Sequence, residues 1–600
     1  MINQNSPDKK IIQIIGFIFF GILFFISWVY YKERMLSFDP AYFSYQIIQF
    51  RRFFIAIGRW GSVFSQVLPL SALAVHCSLK TFLRLYSVAF IINYYIIFLF
   101  ITLVLKNYRA GFVLMLSLCL GFRFVFYYAT AELYFGIALS VLLWAIVAPE
   151  NPYSSIRKQW WATIISIPLI ITISYCHQLT VFTILFAILY EMIYHRKWRD
   201  IHLLIPILFT LIWFFIRIEY LTTSEYEQEK ILKLDNFING LPIFFKLPGW
   251  IYFKTFFLHS LRTLCFTFLF CYLIAFMFGY WRLFFFMVVF PVGFLVLIII
   301  MYAGGSNNLF FENYYPVFGF FGAIILLYFI NEPFPKYIRY LIIAFLLFFN
   351  LKGIYNSHTI QTERVQYLDR LTNYGKRLPQ KKYLLNIRNI PLNIVSLQGF
   401  ISFETLEYSS LQSPDSALNF YWTDDMNKYD SILNQKNIFL GPDFCVAWFT
   451  TNNMNRKYFR LPSTGYLKVN TSQADTSFHE SFFNNKNVRL EAVKETVHSN
   501  NYQFVIAPIR IINTSGKTIF STPDGKHPVY LTYHIYNENG NILYWQNYMN
   551  NLEVDVKDEY TQGLLVYLPP KKGTYIIEAD FYSEGLRYWN TTTRFKLVFE

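Results

Sequence analysis

The chain has 600 residues, 55% of them hydrophobic, 21% aromatic and only 15% charged. Soluble domains carry about a quarter charged residues, so this composition excludes an ordinary soluble protein and indicates a polytopic membrane protein. The formal net charge of +15 lies largely in loops between apolar runs, which argues against nucleic acid as a partner and for membrane lipids.

Apolar runs begin near Ile11, Tyr86, Gly111, Ala131, Trp160, Leu179, Ile201, Phe256, Leu283, Pro316 and Tyr337 and stop near Tyr355. They predict about eleven spanning helices of roughly 17–25 residues each. The first run, 11–31, follows Lys9 and Lys10 but is too long for a signal peptide and lacks a small-residue cleavage site, so it reads as a retained span. Short loops carry Lys106 and Arg109, Arg157 and Lys158, Arg196 with Lys197 and Arg199, Arg282, and Lys336 with Arg339. The short loops between them (127–130, 176–178 and 303–315) contain no Lys or Arg. This alternation puts the N-terminus in the cytoplasm and everything after Tyr355 outside.

Three parts follow: a membrane part at 1–355, an extracytoplasmic mixed α/β region at 356–479, and a β-sandwich at 480–600. A helix is expected over 362–377 and a strand at YLLNI, 383–387. Beyond Val488, runs such as VYLTYHIY (529–536), NILYW (541–545), GLLVYL (563–568) and TYIIEADFY (574–582) alternate with period two. Short Gly, Asn and Pro turns join them, the pattern of an antiparallel sandwich. Only Cys445 of the six cysteines falls in the polar remainder, so no internal disulfide is expected there.

The external loop 32–85 contains most of SFDPAYFSYQIIQFRRFFIAIGRWGSVFSQVLPLSALAVHCSLKTFLRLY (37–86), a stretch too polar to span and too apolar for a free loop. Such a mixture predicts a segment lying along the membrane surface, apolar side down. Asp39 precedes Pro40, so its local reading is a helix cap with Pro at the first helical position; a carboxylate with two oxygens can also serve as a base.

FDPAYFSYQI resembles the motif after the first span of GT-C glycosyltransferases that use polyprenyl-phosphate sugars, such as protein O-mannosyltransferases and the lipid A aminoarabinose transferase. Arg84, Leu85 and Ser87 are similar to that family's Arg-Leu-x-Ser step. FFENYYPVFGFFGAI (310–324) is similar to its late Glu-Arg-Tyr and Pro stretch, with Asn313 in place of Arg. The C-terminal strings VYLTYHIY, PPKKGTY and SEGLRYW resemble a bacterial immunoglobulin-like module. The resemblance implies inverting transfer of a sugar from a polyprenyl-phosphate donor to an external glycan or glycolipid acceptor in a bacterial inner membrane. Asp39 would be the general base, and Arg59 and Arg84 would bind the donor phosphate. Contact of both arginines with phospholipid head groups is the plainer alternative. Such a donor needs no metal or nucleotide cofactor.

Arg123, Glu132, His177, Gln178, His259, Arg262, Glu312 and Tyr314 map to the same ends of their spans and suggest a polar cavity. Arg123 and Glu132 could instead be an ion pair bracing the third and fourth spans. Two other functions fit the topology: a flippase or transporter of lipid-linked glycans, and a non-catalytic anchor displaying the sandwich. Trp545 on its strand reads as core, with sugar stacking as the alternative if it is exposed.

Overall fold

The computed structural model describes residues 9–130, 132–149, 155–221, 237, 241–247, 249–250, 253–254, 257, 261–301, 311–330, 335–386, 400–423, 426, 429–441, 450–469, 487–499, 504–519, 529–545, 549–569, 571–583 and 587–600. A helix occupies each of the eleven positions expected for spans: α1 (Lys9–Val29), α5 (Leu79–Leu99), α6 (Tyr108–Gly121), α7 (Glu132–Val147), α8 (Ile156–Ser174), α9 (Thr180–His195), α10 (Ile201–Ile216), α11 (Arg262–Met277), α12 (Trp281–Met301), α13 (Phe311–Ile330) and α14 (Lys336–Asn356). Five stretches among the described residues are long and apolar enough to cross a membrane: Lys10–Val29, Leu79–Val104, Ile201–Leu221, Trp281–Met301 and Tyr337–Gly375. The apolar pattern alone overstates helix length at α6 and α7, because the chain leaves the helix at Phe122 and makes a tight 3-10 turn over Phe124–Tyr127.

Helix starts follow side-chain chemistry. Ser78, Asn107, Ser155 and Asp200 each accept a backbone N–H from the first turn of α5, α6, α8 and α10, satisfying donors that have no partner within the helix. Helices α6 and α13 cross with their backbones in close approach. A Cβ on Gly319 would sit 2.6 Å from Gly121 Cα, whereas one on Gly293 in α12 would meet nothing within 4 Å. Gly319→Ala is therefore expected to cost about 1–3 kcal/mol by forcing two backbones apart, and Gly293→Ala to be neutral or slightly stabilising. Thermal unfolding of the two purified variants checks this; equal midpoints would remove the crossing as a stabilising feature.

Between α1 and α5 lie α2 (Tyr31–Met35), α3 (Phe38–Phe50) and α4 (Ser62–Ala74). The expected one-sided surface segment is only half present. On α4, Phe64 and Val67 are exposed, as a helix resting on a bilayer requires. Most of α3 is buried, because the mixed region covers the side expected to face water. One apolar cluster joins Tyr45, Ile47, Ile48, Phe82 and Leu83 with Leu368, Phe403, Phe420 and Phe459. Backbone contacts add to it: Asn455 N–H and side-chain amide bond Gln49 Oε1 (2.9 Å) and the Ile48 carbonyl (2.8 Å), and Tyr458 donates to the Cys77 carbonyl (2.9 Å).

The mixed region contains α15 (His358–Gly375), α16 (Ile401–Ser410) and a three-stranded parallel sheet. Its strands are β1 (Lys382–Asn386), β2 (Asn419–Thr423) and β3 (Leu467–Val469), with β1 central.

The C-terminal region is β-rich. One sheet has the order β10-β6-β4, built from β4 (Val488–Ala492), β6 (Phe504–Asn513) and β10 (Glu559–Tyr567). The other runs β5-β13-β11-β7-β8, built from β5 (Thr496–Ser499), β7 (Val529–Asn537), β8 (Ile542–Tyr544), β11 (Gly573–Ser583) and β13 (Thr593–Phe599). The two short strands β9 (Asn550–Asn551) and β12 (Arg587–Tyr588) pair with β7 and β11. Residues of both sheets, including Ile509, Ile511, Leu564, Leu531, Ile535, Ile577 and Trp589, form one apolar cluster. The expected all-antiparallel pattern fails at β5, which pairs parallel to β13. The opposite face of β6 and β10 presents Phe504 and Leu565 to the cluster of apolar helices, so this sheet is covered on both faces.

Candidate functional site

The N-terminus of α3 is held in an unusual way. Phe38 has φ of +49°, a left-handed conformation that costs a bulky residue about 1–3 kcal/mol and persists only where surroundings enforce it. Here they do. Its N–H donates to Glu404 Oε1 at 2.9 Å, its ring stacks on Tyr128 at 5.7 Å, and the Arg364 guanidinium lies 4.5 Å from the ring centroid. Arg364 grips Glu404 with two charge-assisted bonds of 2.8 and 2.7 Å, and both side chains are buried. The helix is thus capped by Glu404, brought from far along the chain, and Asp39 is not its cap.

Asp39 is left to another use. It is exposed between the buried residues Phe38 and Pro40, yet protein surrounds it closely enough for desolvation to raise its pKa, against a lowering by Arg59. Its side chain is thus open to water within closely packed surroundings. Arg59 pairs with Glu132 at 3.5 Å, and Asp39 lies within electrostatic reach of Glu132. The structure therefore brings together three residues expected from the sequence, Asp39, Arg59 and Glu132, with one cation within electrostatic reach of both carboxylates.

Local structure holds Arg59 there. The buried Gln66 side chain clamps both backbone groups of Phe54 at 2.7 Å, and Gly61 N–H reaches the Tyr175 carbonyl at 3.3 Å. A Cβ on Gly61 would approach Cys176 Sγ to 2.5 Å, so this loop presses against the α8–α9 turn. That turn carries His177, which is buried and accepts the Leu179 N–H at 3.1 Å; its role there is turn-forming.

The other expected residues fall elsewhere. Arg84 stacks on Trp28 and Tyr31 at 5.2 and 5.0 Å. Tyr86, two residues on and so roughly opposite around α5, is the one that lies within reach of Glu132. Arg123 does not pair with Glu132, which corrects the bracing alternative. It lies within electrostatic reach of Arg262 and against Gly353 of α14, whose Cβ would come within 3.1 Å of its guanidinium carbon. Glu312 and Tyr314 are in the first turn of α13, but their side chains, like all of His259, lie outside the described residues.

No protein-family model matches the chain, and no curated protein or solved structure matches it.

Sequence reasoning missed Tyr86, Glu404, Glu407 and Arg217. Arg217 is buried at the end of α10, 5.2 Å from the Tyr175 ring and within reach of Cys176 beside the Arg59 loop. The Tyr86 hydroxyl is buried without a well-formed hydrogen bond, close to Ser65. Glu407 on α16 accepts the Ser44 hydroxyl at 2.5 Å while its second oxygen has no partner among the described residues. Burial pushes the Glu407 pKa well above the carboxylate range, opposed by Ser44. The folded protein keeps this proton and the unfolded chain releases it, so stability falls as pH rises above the ordinary carboxylate pKa. Glu407→Gln keeps the Ser44 bond and removes that loss. The variant should unfold with the wild type at about pH 4 and at a higher temperature at about pH 7; identical midpoints at both would show Glu407 ionised in the fold.

Proposed function

We propose that the chain is a multi-spanning glycosyltransferase of the GT-C type, with about eleven spans and a C-terminal β-sandwich. It moves a sugar from a polyprenyl phosphate to a glycan or glycolipid acceptor on the outer side of a bacterial inner membrane. The observation that carries this reading is Asp39, an exposed carboxylate within electrostatic reach of Arg59, on the helix α3 that packs against both α5 and the mixed region. A carboxylate that structure requires would be buried and bonded, as Glu404 is.

In the reaction, Asp39 accepts the proton of the acceptor hydroxyl as its oxygen attacks the anomeric carbon. The bond from that carbon to the phosphate oxygen breaks on the opposite face, and the phosphate departs with the electron pair. Arg59 stabilises the leaving phosphate; a guanidinium has five N–H donors in a planar fork, enough to face carboxylate and phosphate together. Glu132 holds Arg59 in place. Arg84, cradled by Trp28 and Tyr31, contacts phospholipid head groups instead.

The test is binding of undecaprenyl phosphate to the purified full chain, followed by native mass spectrometry in a detergent without a sugar head group. A one-to-one complex that weakens in Arg59→Gln and persists in Arg84→Gln is expected. Retention of ordinary phospholipid alone, after incubation with the probe, would overturn the donor assignment.

A further inference from the structure

A second surface lies on the larger C-terminal sheet. Strands β7 and β8 form a tight hairpin: Asn537 N–H meets the Asn541 carbonyl at 2.9 Å, Asn541 N–H meets Asn537 Oδ1 at 2.8 Å, and Gly540 takes the φ of +79° that the turn demands. Trp545 follows β8, the edge strand, and folds back over β7. Its indole stacks on the His534 imidazole with centroids 4.1 Å apart and planes 18° apart. Tyr588 stands across the edges of both rings, 4.8 Å from His534 and 5.6 Å from Trp545, and is backed by Tyr582 at 5.1 Å.

Burial separates the two stacked rings sharply. His534 is 2% exposed and Trp545 is 54% exposed. One side of the indole is therefore fixed by the imidazole while much of the ring stays in water. An aromatic ring kept in water forgoes roughly 25 cal/mol for each Å² it could have buried. Core filling does not explain a ring so placed, and the surrounding aromatic contacts hold it in one orientation.

The chemistry of the surface narrows the ligand. Burial lowers the His534 pKa, against Glu578, so a neutral imidazole backs the indole. Glu578 faces His534 across the β7–β11 pair and is itself occupied by Tyr536 and Arg594. The platform is flat and π-rich, and among the described residues the charges adjoining it, Glu578 and Arg594, are paired with each other. Anionic lipid head groups or a nucleic-acid strand would call for a run of unpaired cations. A pyranose ring, with a C–H face to lie on an indole and hydroxyls at its edge, matches a flat uncharged aromatic face.

We propose that Trp545, backed by His534 and walled by Tyr588, is a carbohydrate-binding platform that takes one pyranose ring of a glycan. The site is independent of the transfer reaction proposed above and would operate whichever activity the apolar helices support.

The experiment is saturation-transfer NMR on the full chain held in amphipol, because alkyl glycoside detergents would present a pyranose of their own. The probes are the tetrasaccharides of glucose, mannose, xylose and N-acetylglucosamine. At least one should receive saturation at its ring C–H protons. Trp545→Ala should weaken that binding by about tenfold or more, the effect of losing one aromatic stacking contact. Trp545→Phe should retain part of the affinity. Equal thermal midpoints for the Trp545 variants are expected, since the ring is outside the core. Absence of transfer to every probe, or undiminished binding by Trp545→Ala, would overturn the proposal.

Discussion

Asp39→Asn is expected to leave the protein folded and to reduce sugar transfer by about 10²–10⁴-fold, the range for loss of a positioned general base. Folding should survive because Asp39 is exposed and does not cap α3; Glu404 does. The wild-type rate should also carry a signature of the surroundings of Asp39. Desolvation raises the Asp39 pKa and Arg59 lowers it, and only the ionised carboxylate accepts a proton. The rate therefore falls as pH drops through a value above the ordinary carboxylate range. Arg59→Gln removes the lowering influence and should move that acid limb further up in pH, beyond any loss of donor binding. Transfer from a labelled polyprenyl-phosphate sugar in proteoliposomes, followed against pH, reads both effects. Full activity in Asp39→Asn would remove this residue from the mechanism, and an acid limb unmoved by Arg59→Gln would separate the two residues.

The largest stability effect is expected at Arg364. Arg364→Met leaves the buried Glu404 without its cation, a change that costs about 3–5 kcal/mol. The paired variant Arg364→Met with Glu404→Gln removes both charges and keeps an acceptor for the Phe38 N–H, so it should recover much of the loss. Thermal unfolding of the singles and the double measures the coupling. A single variant within about 1 kcal/mol of the wild type would show that the pair is replaceable. The consequence reaches Asp39, because Arg364 and Glu404 hold the left-handed Phe38 next to it. The mixed region is thus part of what positions the candidate base.

Parts of the fold were legible in advance for local reasons. A spanning helix is a run of apolar residues, and every expected run became a helix because no residue beyond the run is needed to form it. VYLTYHIY and TYIIEADFY became β7 and β11 in the expected places, since alternation is written along the strand itself. Helix ends, strand direction and coverage were less legible. Nothing in TVHS marks β5 as parallel to β13, and nothing in FDPAYFSYQI shows that α16 will cover it. A strand tryptophan predicts core, but Trp545 follows the edge strand β8, whose three residues are all exposed.

By itself the sequence determined the membrane character of the chain, the places of its apolar helices and the β-rich C-terminal end. It also named Asp39 and Arg59, through the resemblance of the first loop to GT-C enzymes, and Glu132, as one of several polar residues at the ends of the apolar runs. Only the tertiary structure decided that these three meet, that Arg59 and not Arg123 faces Glu132, and that Glu404 takes the cap from Asp39. The physical reason is separation. Periodicity and capping act over a few residues, whereas the Arg59–Glu132 pair spans 73 positions and the Glu404–Phe38 bond spans 366. Contacts of that kind are set by how whole elements stack, and no local pattern carries them.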